Sequence, residues 1–266
     1  MLSFFGLVGR KSHLFFAEVA RLANLVQSFL YWAFFAPLAG RRGLRRETFA
    51  RQLVFIGNES LPIVALVTLA IGAVLALQAA YQLKQFGAVL YTGGLVSVSM
   101  VRELGPVVTA IVIAGRVGAS ITAELGTMKV QEEIDALTTM GIPAIPYLVV
   151  PRIIAIALML PCLNILGDIV GMLGGYLIGT FGLGMNSDLY IQENFKTLAH
   201  KDVWTGLAKS FLFALLIGFI SNYKGLTVQG GAEGVGRATT QSVVLSIIMI
   251  IVADCVLTAI FYYVFP

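Results

Sequence analysis

Charged side chains are scarce in this sequence. Asp, Glu, Lys and Arg make up 12% of its 266 residues, whereas a typical soluble domain carries about 25%. So few charges cannot cover the water-facing surface of a soluble domain of this length. Instead, 58% of the residues are hydrophobic and the mean hydropathy is +0.88. The long, nearly unbroken apolar runs also argue against a soluble α/β core, and they predict an all-α integral membrane protein.

Residues that bind metals or perform hydrolysis are also few. The two cysteines, Cys162 and Cys255, lie inside apolar runs, where we expect them to pack as small hydrophobic side chains. The two histidines, His13 and His200, are far apart in sequence, and no CxxC or haem-type spacing occurs. A metal site is therefore not predicted.

Catalytic motifs are missing from the predicted spans, which contain no GxSxG, no HExxH and no paired aspartates of an intramembrane protease. One run, GAEGVGRAT from Gly231, has the spacing of a phosphate-binding loop. It carries Arg237 where that loop needs lysine and Ala238 where it needs Ser or Thr. We therefore interpret it as a turn, predict no catalytic residue, and disfavour an enzyme.

The apolar runs predict about five membrane-spanning helices within a single membrane domain, residues 1–266. Gly93, Gly94 and Pro106 interrupt the second run, so a short segment returning from the outer surface is expected before that span. The bundle occupies 53–266, and its predicted spans are about 54–83, 102–123, 147–181, 203–223 and 239–264.

The segment before the bundle, residues 1–52, has two parts. Residues 12–35 carry polar side chains every three or four positions, which predicts an amphipathic helix lying in the membrane interface, with a spanning helix as the alternative. These polar residues are Glu18, Arg21, Asn24, Gln27, Ser28 and Tyr31. A basic cluster follows, which beside a span favours anionic headgroups over nucleic acid. Its arginines are Arg41, Arg42, Arg45, Arg46 and Arg51.

Five spans place the two chain ends on opposite sides of the membrane. Positive charge is concentrated in the segments that lie inside if the N-terminus is cytoplasmic, notably the arginine cluster. The positive-inside rule therefore predicts a cytoplasmic N-terminus and a C-terminus on the outer side. With this orientation, residues 124–143 face the cytoplasm.

A short polar segment, residues 123–143, interrupts the apolar sequence. A helix over about 127–140 is predicted, because Gly141 and Pro143 end it, and Val130, Ile134 and Leu137 recur at helical spacing. The segment is either an ordinary loop helix or a surface that a partner contacts. Its charged residues are Glu124, Lys129, Glu132, Glu133 and Asp135.

Stripes of small residues predict close helix packing in the membrane. Gly167, Gly171 and Gly175 are spaced four apart, and Gly118 belongs to a similar stripe on the second span. Packing within one chain and a homodimer seam are equally compatible with this spacing.

Ionisable residues inside spans are costly and are commonly functional. Counting about 1.5 Å per residue places Lys209 and Asp254 at nearly equal depth, so we expect a salt bridge between them. Arg102 and Glu103 lie near the outer end of the second span. These four residues either neutralise one another or form a polar lining that handles a charged headgroup.

Residues 101–143 resemble the signature region of the MlaE/YrbE permease family, whose members are membrane subunits of lipid-transporting ABC systems. The matching motifs are ELGP at 103–106, AGRVG at 114–118, AELGTM at 123–128 and EEIDAL at 132–137. The run GGAEGVGRATTQSVV at 230–244 also resembles that family's turn into its last span.

The resemblance implies a homodimeric permease in the bacterial inner membrane, with its C-terminus periplasmic. It implies a cytoplasmic ATPase dimer that binds ATP and Mg²⁺, so that this chain needs no cofactor of its own, together with a periplasmic MCE-domain ring and a possible STAS-domain protein. Phospholipid moved between inner and outer membranes is the implied substrate. A membrane scaffold that moves no lipid and an ion-coupled transporter are the alternatives.

Particular residues take roles from the same resemblance. The helix at 127–140 resembles a coupling helix that docks on the ATPase, and Arg102 and Glu103 correspond to a pair near the lipid pocket. Lys209 and Asp254 join that pair as pocket candidates because of their depth. The coupling candidates are Glu124, Lys129, Glu132, Glu133, Asp135 and Leu137.

Overall fold

The computed structural model describes residue 18 and residues 20–35 and 46–264. Within these ranges the regular secondary structure is helical, and no strand occurs there. Five helices of the described part are long and apolar enough to cross a membrane. The predicted all-α integral membrane fold is therefore confirmed. Residues 36–45, which hold Arg41, Arg42 and Arg45 of the predicted basic cluster, lie outside the described residues.

From α2 onward, the helices follow one another with short connections. They are α1 (residues 20–30, continued by a π-helical turn Tyr31–Phe35), α2 (Arg46–Gly57), α3 (Leu61–Lys84), α4 (Val89–Val130), α5 (Glu133–Thr139), α6 (Ile145–Gly182), α7 (Ser187–Thr197), α8 (His200–Leu226) and α9 (Gly231–Val264).

Helix α1 packs on the bundle through one apolar face. Leu25 and Phe29 are buried against the start of α6 and the end of α8, and the Phe29 ring meets that of Phe219 edge to face at 5.3 Å. Arg21 and Asn24, from the predicted polar stripe, are exposed. The amphipathic division therefore exists, and the position of α1 in the membrane interface stays a prediction.

Helix α4 is continuous across the glycines and the proline that were expected to break it, so the predicted returning segment before the second span is wrong. Gly93 and Gly94 lie against α7, where a Cβ would crowd the Tyr190 carbonyl and the Thr197 side chain. Before Pro106 the helix widens into a π-helical turn, Met100–Leu104. In that turn the Gly105 N–H donates to the Met100 carbonyl, so the missing N–H of proline is accommodated.

The short helix α7 lies between the end of α6 and the start of α8, and it packs on the bundle by burying one aromatic side chain. Tyr190 is fully buried and its ring lies 5.9 Å from that of Tyr176 on α6. Burial raises the pKa of the Tyr190 hydroxyl to about 12. The phenol is neutral at physiological pH, and its hydroxyl has no hydrogen-bond partner among the described residues.

The predicted small-residue stripe lies against helices of the same chain. A Cβ on Gly167 would lie 3.1 Å from the Thr68 methyl group, and one on Gly175 would lie 2.8 Å from Val96. At the closest point of α3 and α6, a Cβ on Gly72 would overlap the Gly171 carbonyl. Gly118 faces Ile217 on α8 in the same way, at 3.3 Å from a Cβ. These glycines permit close helix approach within the chain.

The central core is apolar and joins α4, α6 and α8. Ile113, Val117, Ile156, Phe213 and Ile217 are all fully buried there. Helix α9 contributes far less, since most of its large side chains face outward. Its exposed apolar residues include Val244, Ile248, Val252, Val256 and Ile260.

We expect Gly72→Ala to destabilise the bundle, because its methyl group overlaps backbone rather than a movable side chain. Overpacking of this kind costs about 1–3 kcal/mol, which should lower the thermal midpoint in detergent by several degrees. Gly236→Ala on α9 is the matched control, since a Cβ there meets no atom within 4 Å. Equal midpoints for the two variants would contradict the close α3–α6 contact.

Candidate functional site

A buried ion cluster joins α4, α8 and α9. Lys209 on α8 is only 1% exposed, and its ammonium group donates to the Glu103 carboxylate on α4. The same Nζ lies 2.9 Å from Asp254 Oδ1 on α9 and 2.7 Å from the Thr258 hydroxyl. The predicted Lys209–Asp254 salt bridge is confirmed. Glu103 is a second carboxylate partner of Lys209, and comparing the depths of residues along the spans did not predict it.

Arg102 extends this cluster to the start of α8. Its guanidinium lies 3.6 Å from Asp202 Oδ1 and 3.9 Å from Glu103 Oε1. The other Asp202 oxygen accepts from the Ala199 N–H at 3.0 Å and so caps α8. The structure therefore brings all four pocket candidates together and adds Asp202 and Thr258, which the sequence analysis missed.

Both missed residues had a sequence signal. Asp202 is the third residue of α8, where a carboxylate commonly reaches back to the helix start. Thr258 lies four residues after Asp254, one turn further along the same face of α9. Its position one turn from a buried charge is the sequence feature that marks Thr258 as a possible partner.

The π-helical turn Met100–Leu104 positions Arg102 and Glu103. Such turns insert one extra residue into an α-helix and change the direction of neighbouring side chains. Here two adjacent residues reach different partners, Asp202 and Lys209. A second π-helical turn, Ala114–Gly118, holds Arg116, which lies 14 residues after Arg102 on the same helix.

Arg116 fixes the turn between α2 and α3. Its guanidinium donates to Glu59 Oε2 at 2.7 Å, to Ser60 Oγ at 2.6 Å and to the Phe55 carbonyl at 3.2 Å. The Phe55 ring lies 5.2 Å from the guanidinium carbon. The Glu59 carboxylate therefore neutralises the Arg116 guanidinium.

A third ion pair joins the ends of α4 and α6. Arg152 is 4% exposed and donates to Glu124 Oε1 at 2.7 Å and to the Leu148 carbonyl at 2.8 Å. Glu124 therefore ties its own helix to the next span. It was predicted to face an ATPase, and in the structure its carboxylate faces Arg152.

The predicted continuous helix over 127–140 is wrong. Helix α4 ends at Val130, and α5 starts at Glu133. Between them Glu132 has φ of 62°, a left-handed conformation rare for a residue with a side chain. Lys129 bridges this break, with its ammonium group 3.0 Å from both Asp135 oxygens.

The break also divides the predicted apolar strip. Ile134 is buried and Leu137 packs against the core, whereas Val130 is exposed on the other side of the break. Glu132 and Glu133 are exposed, and neither forms an ion pair with a described residue. The surface around α5 therefore combines unpaired acidic side chains with exposed apolar ones.

Some buried polar residues lie outside the ion cluster, among them Asp168, Asn164 and Thr109. Asp168 accepts from the Asn164 amide at 3.1 Å. Its second oxygen has no hydrogen-bond partner among the described residues, and neither does the Thr109 hydroxyl.

The prediction that both cysteines pack as small hydrophobic side chains is wrong. Cys162 and Cys255 are both free and exposed, because they lie on outward faces of α6 and α9. Among the described residues, no group of three or more His, Cys, Asp and Glu side chains has the arrangement of a metal site.

The five candidate spans and the ion pairs between them are those of a multi-pass, all-helical membrane protein. In this protein, buried charges connect the helices. The protein family described as Permease MlaE matches residues 49–260, well over half of the chain. The chain belongs to this family of ABC transporter permeases.

Similar proteins agree with that assignment. A "Probable ABC transporter permease protein" of Rickettsia felis is 44% identical over 91% of this chain and 94% of its own length. One from Synechocystis is 42% identical over 82% of both chains. "Protein TRIGALACTOSYLDIACYLGLYCEROL 1, chloroplastic" of Arabidopsis thaliana is 36% identical over 80% of this chain and 61% of its own.

Lys209→Met should strongly destabilise the protein, because it leaves the carboxylates of Glu103 and Asp254 without their buried cation. The expected loss is about 3–5 kcal/mol, measured as a lower thermal midpoint in detergent. Adding Glu103→Gln and Asp254→Asn should restore most of it, since no unpaired charge remains. Lys196→Met is the control: its side chain is 75% exposed, and we expect a change within about 0.5 kcal/mol. A fully stable Lys209→Met protein would show that the ion cluster does not hold the helices.

Proposed function

We propose that this chain is the lipid-translocating subunit of an ABC transporter that moves phospholipid between two membranes, and that it performs no chemistry itself. The observation that carries the proposal is the Arg102, Glu103, Lys209 and Asp254 cluster, which places charge inside an apolar bundle. Charged side chains within spans commonly mark the path of a polar substrate. The partly exposed Arg102 and Glu103 side chains, 26% and 34% exposed, are the groups available to a headgroup.

A lipid substrate fits the surroundings of these charges. Helix α9 carries Asp254 and also presents a long exposed apolar face. Acyl chains need such a surface, and a headgroup needs polar groups at its rim. The name of the Arabidopsis relative refers to trigalactosyldiacylglycerol, which is itself a glycerolipid.

An ATPase partner follows from the class, since ABC permeases are driven by one. We propose that it contacts α5 and its flanks, where Glu132 and Glu133 are exposed without an ion pair among the described residues. Val130, Met140 and Ile142 are exposed beside them, at 40%, 67% and 37%. Exposed apolar residues next to unpaired charge suit a protein interface.

One helix would connect ATP hydrolysis to the lipid. Glu103 and Lys129 belong to α4 and are 26 residues apart, about 39 Å along a helix. Lys129 holds α5 through Asp135, and Glu103 holds Lys209. A displacement of α5 would therefore reach the ion cluster through a continuous rigid element.

The wider assembly is proposed on the same basis. A homodimer would cover the apolar face of α9. A periplasmic MCE-domain ring would receive the lipid, and a STAS-domain protein would bind the ATPase rather than this chain. In that assembly the chain lies in the inner membrane of a bacterium, with a cytoplasmic N-terminus and a periplasmic C-terminus. ATP and Mg²⁺ would bind only to the ATPase.

A scaffold that holds an ATPase and a ring without touching lipid is the second candidate. The outward-facing acidic and apolar surface around α5 would serve a scaffold equally well. An ion-coupled transporter built on Lys209 and Asp254 is less favoured, because the two already pair with each other and Lys209 also donates to Glu103 and Thr258.

Replacing the unpaired acidic pair tests the ATPase contact. Glu132→Gln with Glu133→Gln should weaken co-purification of the ATPase about tenfold, because two interface charges are lost. Glu47→Gln with Asp188→Asn removes two exposed acidic charges elsewhere and should have no effect. Membrane insertion and the thermal midpoint should be unchanged in both. If the Glu132→Gln, Glu133→Gln protein bound the ATPase as strongly as the unaltered protein, the proposed contact between α5 and the ATPase would be wrong.

Crosslinking separates a lipid path from a scaffold. A photoreactive amino acid at position 102 should label phospholipid in the assembled complex, and ATP should change the yield as the cluster opens or closes. The same group at Tyr81, which is 68% exposed on α3, should label bulk lipid with no dependence on ATP. Absence of any ATP-dependent label at position 102 would favour the scaffold.

A further inference from the structure

We propose that the cleft between α1, α8 and α9 binds a phospholipid whose headgroup carries both a phosphate and an ammonium group. This site lies at the opposite end of the bundle from the ion cluster. Lys209 and Lys224 are both on α8, 15 residues and therefore about 22 Å apart. The inference rests on the proposed function only in assuming that this chain handles phospholipid.

Two adjoining cavities form the cleft. One, of about 480 Å³, is lined mainly by polar side chains. The other, of about 410 Å³, is almost entirely apolar. Glu18, Tyr223 and Lys224 line both cavities, so the two are continuous. A cleft that is polar at one end and apolar at the other matches the division of a phospholipid into headgroup and tails.

The polar cavity contains the charges that a zwitterionic headgroup needs. Its cations are Arg21 on α1, Lys224 on α8 and Arg237 on α9. Its carboxylates are Glu18 and Glu233. Arginine and lysine bind phosphate oxygens strongly, and a carboxylate accepts from an ammonium group. The combination therefore suits phosphoethanolamine better than a headgroup with negative charge alone.

The cations of this cavity differ from the cations that connect the spans to one another. None of Arg21, Lys224 and Arg237 forms an ion pair with a described residue. By contrast, each of five other cations in the described spans pairs with a carboxylate: Arg102, Arg116, Lys129, Arg152 and Lys209. Three helices bring three unpaired cations to one cavity, which leaves them available to a ligand.

The apolar cavity has the depth that an acyl chain requires. It extends eight residues along α8, from Lys224 to Leu216, and Leu245 and Met249 line it on α9. Eight residues span about 12 Å of helix, close to the ~15 Å of hydrocarbon in one leaflet. Leu22 and Val26 of α1 close the side of the cleft.

Selectivity in this cleft must come from the headgroup. Acyl chains gain little on leaving the bilayer for an apolar cleft, because lipid tails are as apolar as leucine side chains. The charged end therefore decides which lipid is retained. Removing cations should reduce binding of the lipid without altering the fold, since none of the three forms an ion pair with a described residue and Lys224 makes only a distant contact with the Tyr223 ring, at 6.0 Å.

Native mass spectrometry of the full-length protein tests this inference. The protein is extracted from nanodiscs of equal phosphatidylethanolamine and phosphatidylglycerol, and its retained lipid is identified. Lys224→Gln with Arg237→Gln should reduce retained phosphatidylethanolamine roughly 20- to 30-fold, at about fivefold per basic residue. Arg51→Gln with Lys84→Gln removes two exposed cations outside the cleft and should leave retention unchanged. Equal retention in both variants would overturn the site, as would a preference for phosphatidylglycerol in the unaltered protein.

A photoreactive amino acid at Met249 locates the ligand independently of those variants. An adduct with a phospholipid tail supports the site. An adduct with residues 1–17 of the same chain, or with a second copy, would show that protein fills the cleft and would overturn it.

The outcomes also separate this site from the proposed function. Lipid in the cleft of a protein that moves none would overturn transport but leave the site intact. Transport by the reconstituted complex, with no lipid found in the cleft, would overturn the site alone.

Discussion

The ammonium group of Lys209 must be matched by carboxylates, because it is buried among apolar helices where no water can solvate it. Glu103 and Asp254 supply that match from two other spans, so the relative depth of three helices is set at one point. This matters most for α9, which buries few large side chains. Its second polar attachment is Ser242, whose hydroxyl accepts from Thr122 at 2.9 Å. These contacts locate a helix that apolar packing alone would hold loosely.

Much of this arrangement was predictable from the sequence. Span number follows from the length of apolar runs, and the Lys209–Asp254 pair follows from depth, since residue count measures distance along a helix. The depth of a residue along a helix does not show, however, towards which neighbouring helix its side chain points. Glu103 was therefore placed near the outer end of its span without a partner, and the sequence left open whether the stripe at Gly171 faces the same chain or a second copy.

The wrong prediction of a break in α4 and the wrong prediction of one helix over 127–140 have the same physical origin, which is that tertiary contacts override local helix propensity at both places. Gly93 and Pro106 are helix breakers in isolation, but α7 requires the small residue and a π-helical turn absorbs the proline. Conversely, the periodic residues around 130–137 predict one helix, whereas the chain turns at Glu132. No single-residue propensity indicates a left-handed glutamate, because its cost is met by contacts such as Lys129–Asp135.

The π-helical turn at Met100–Leu104 has a consequence for how this sequence can change over evolution. One surplus residue is stored there, so a single deletion within the turn would restore an ordinary α-helix without rotating the helix on either side. The same deletion in an α-helical stretch would turn every following side chain by about 100°. Helix length at this position is therefore free to vary while the packing faces of α4 stay in register. The orientation of Arg102 and Glu103 would be altered in such a variant, whereas the rest of the bundle would keep its contacts.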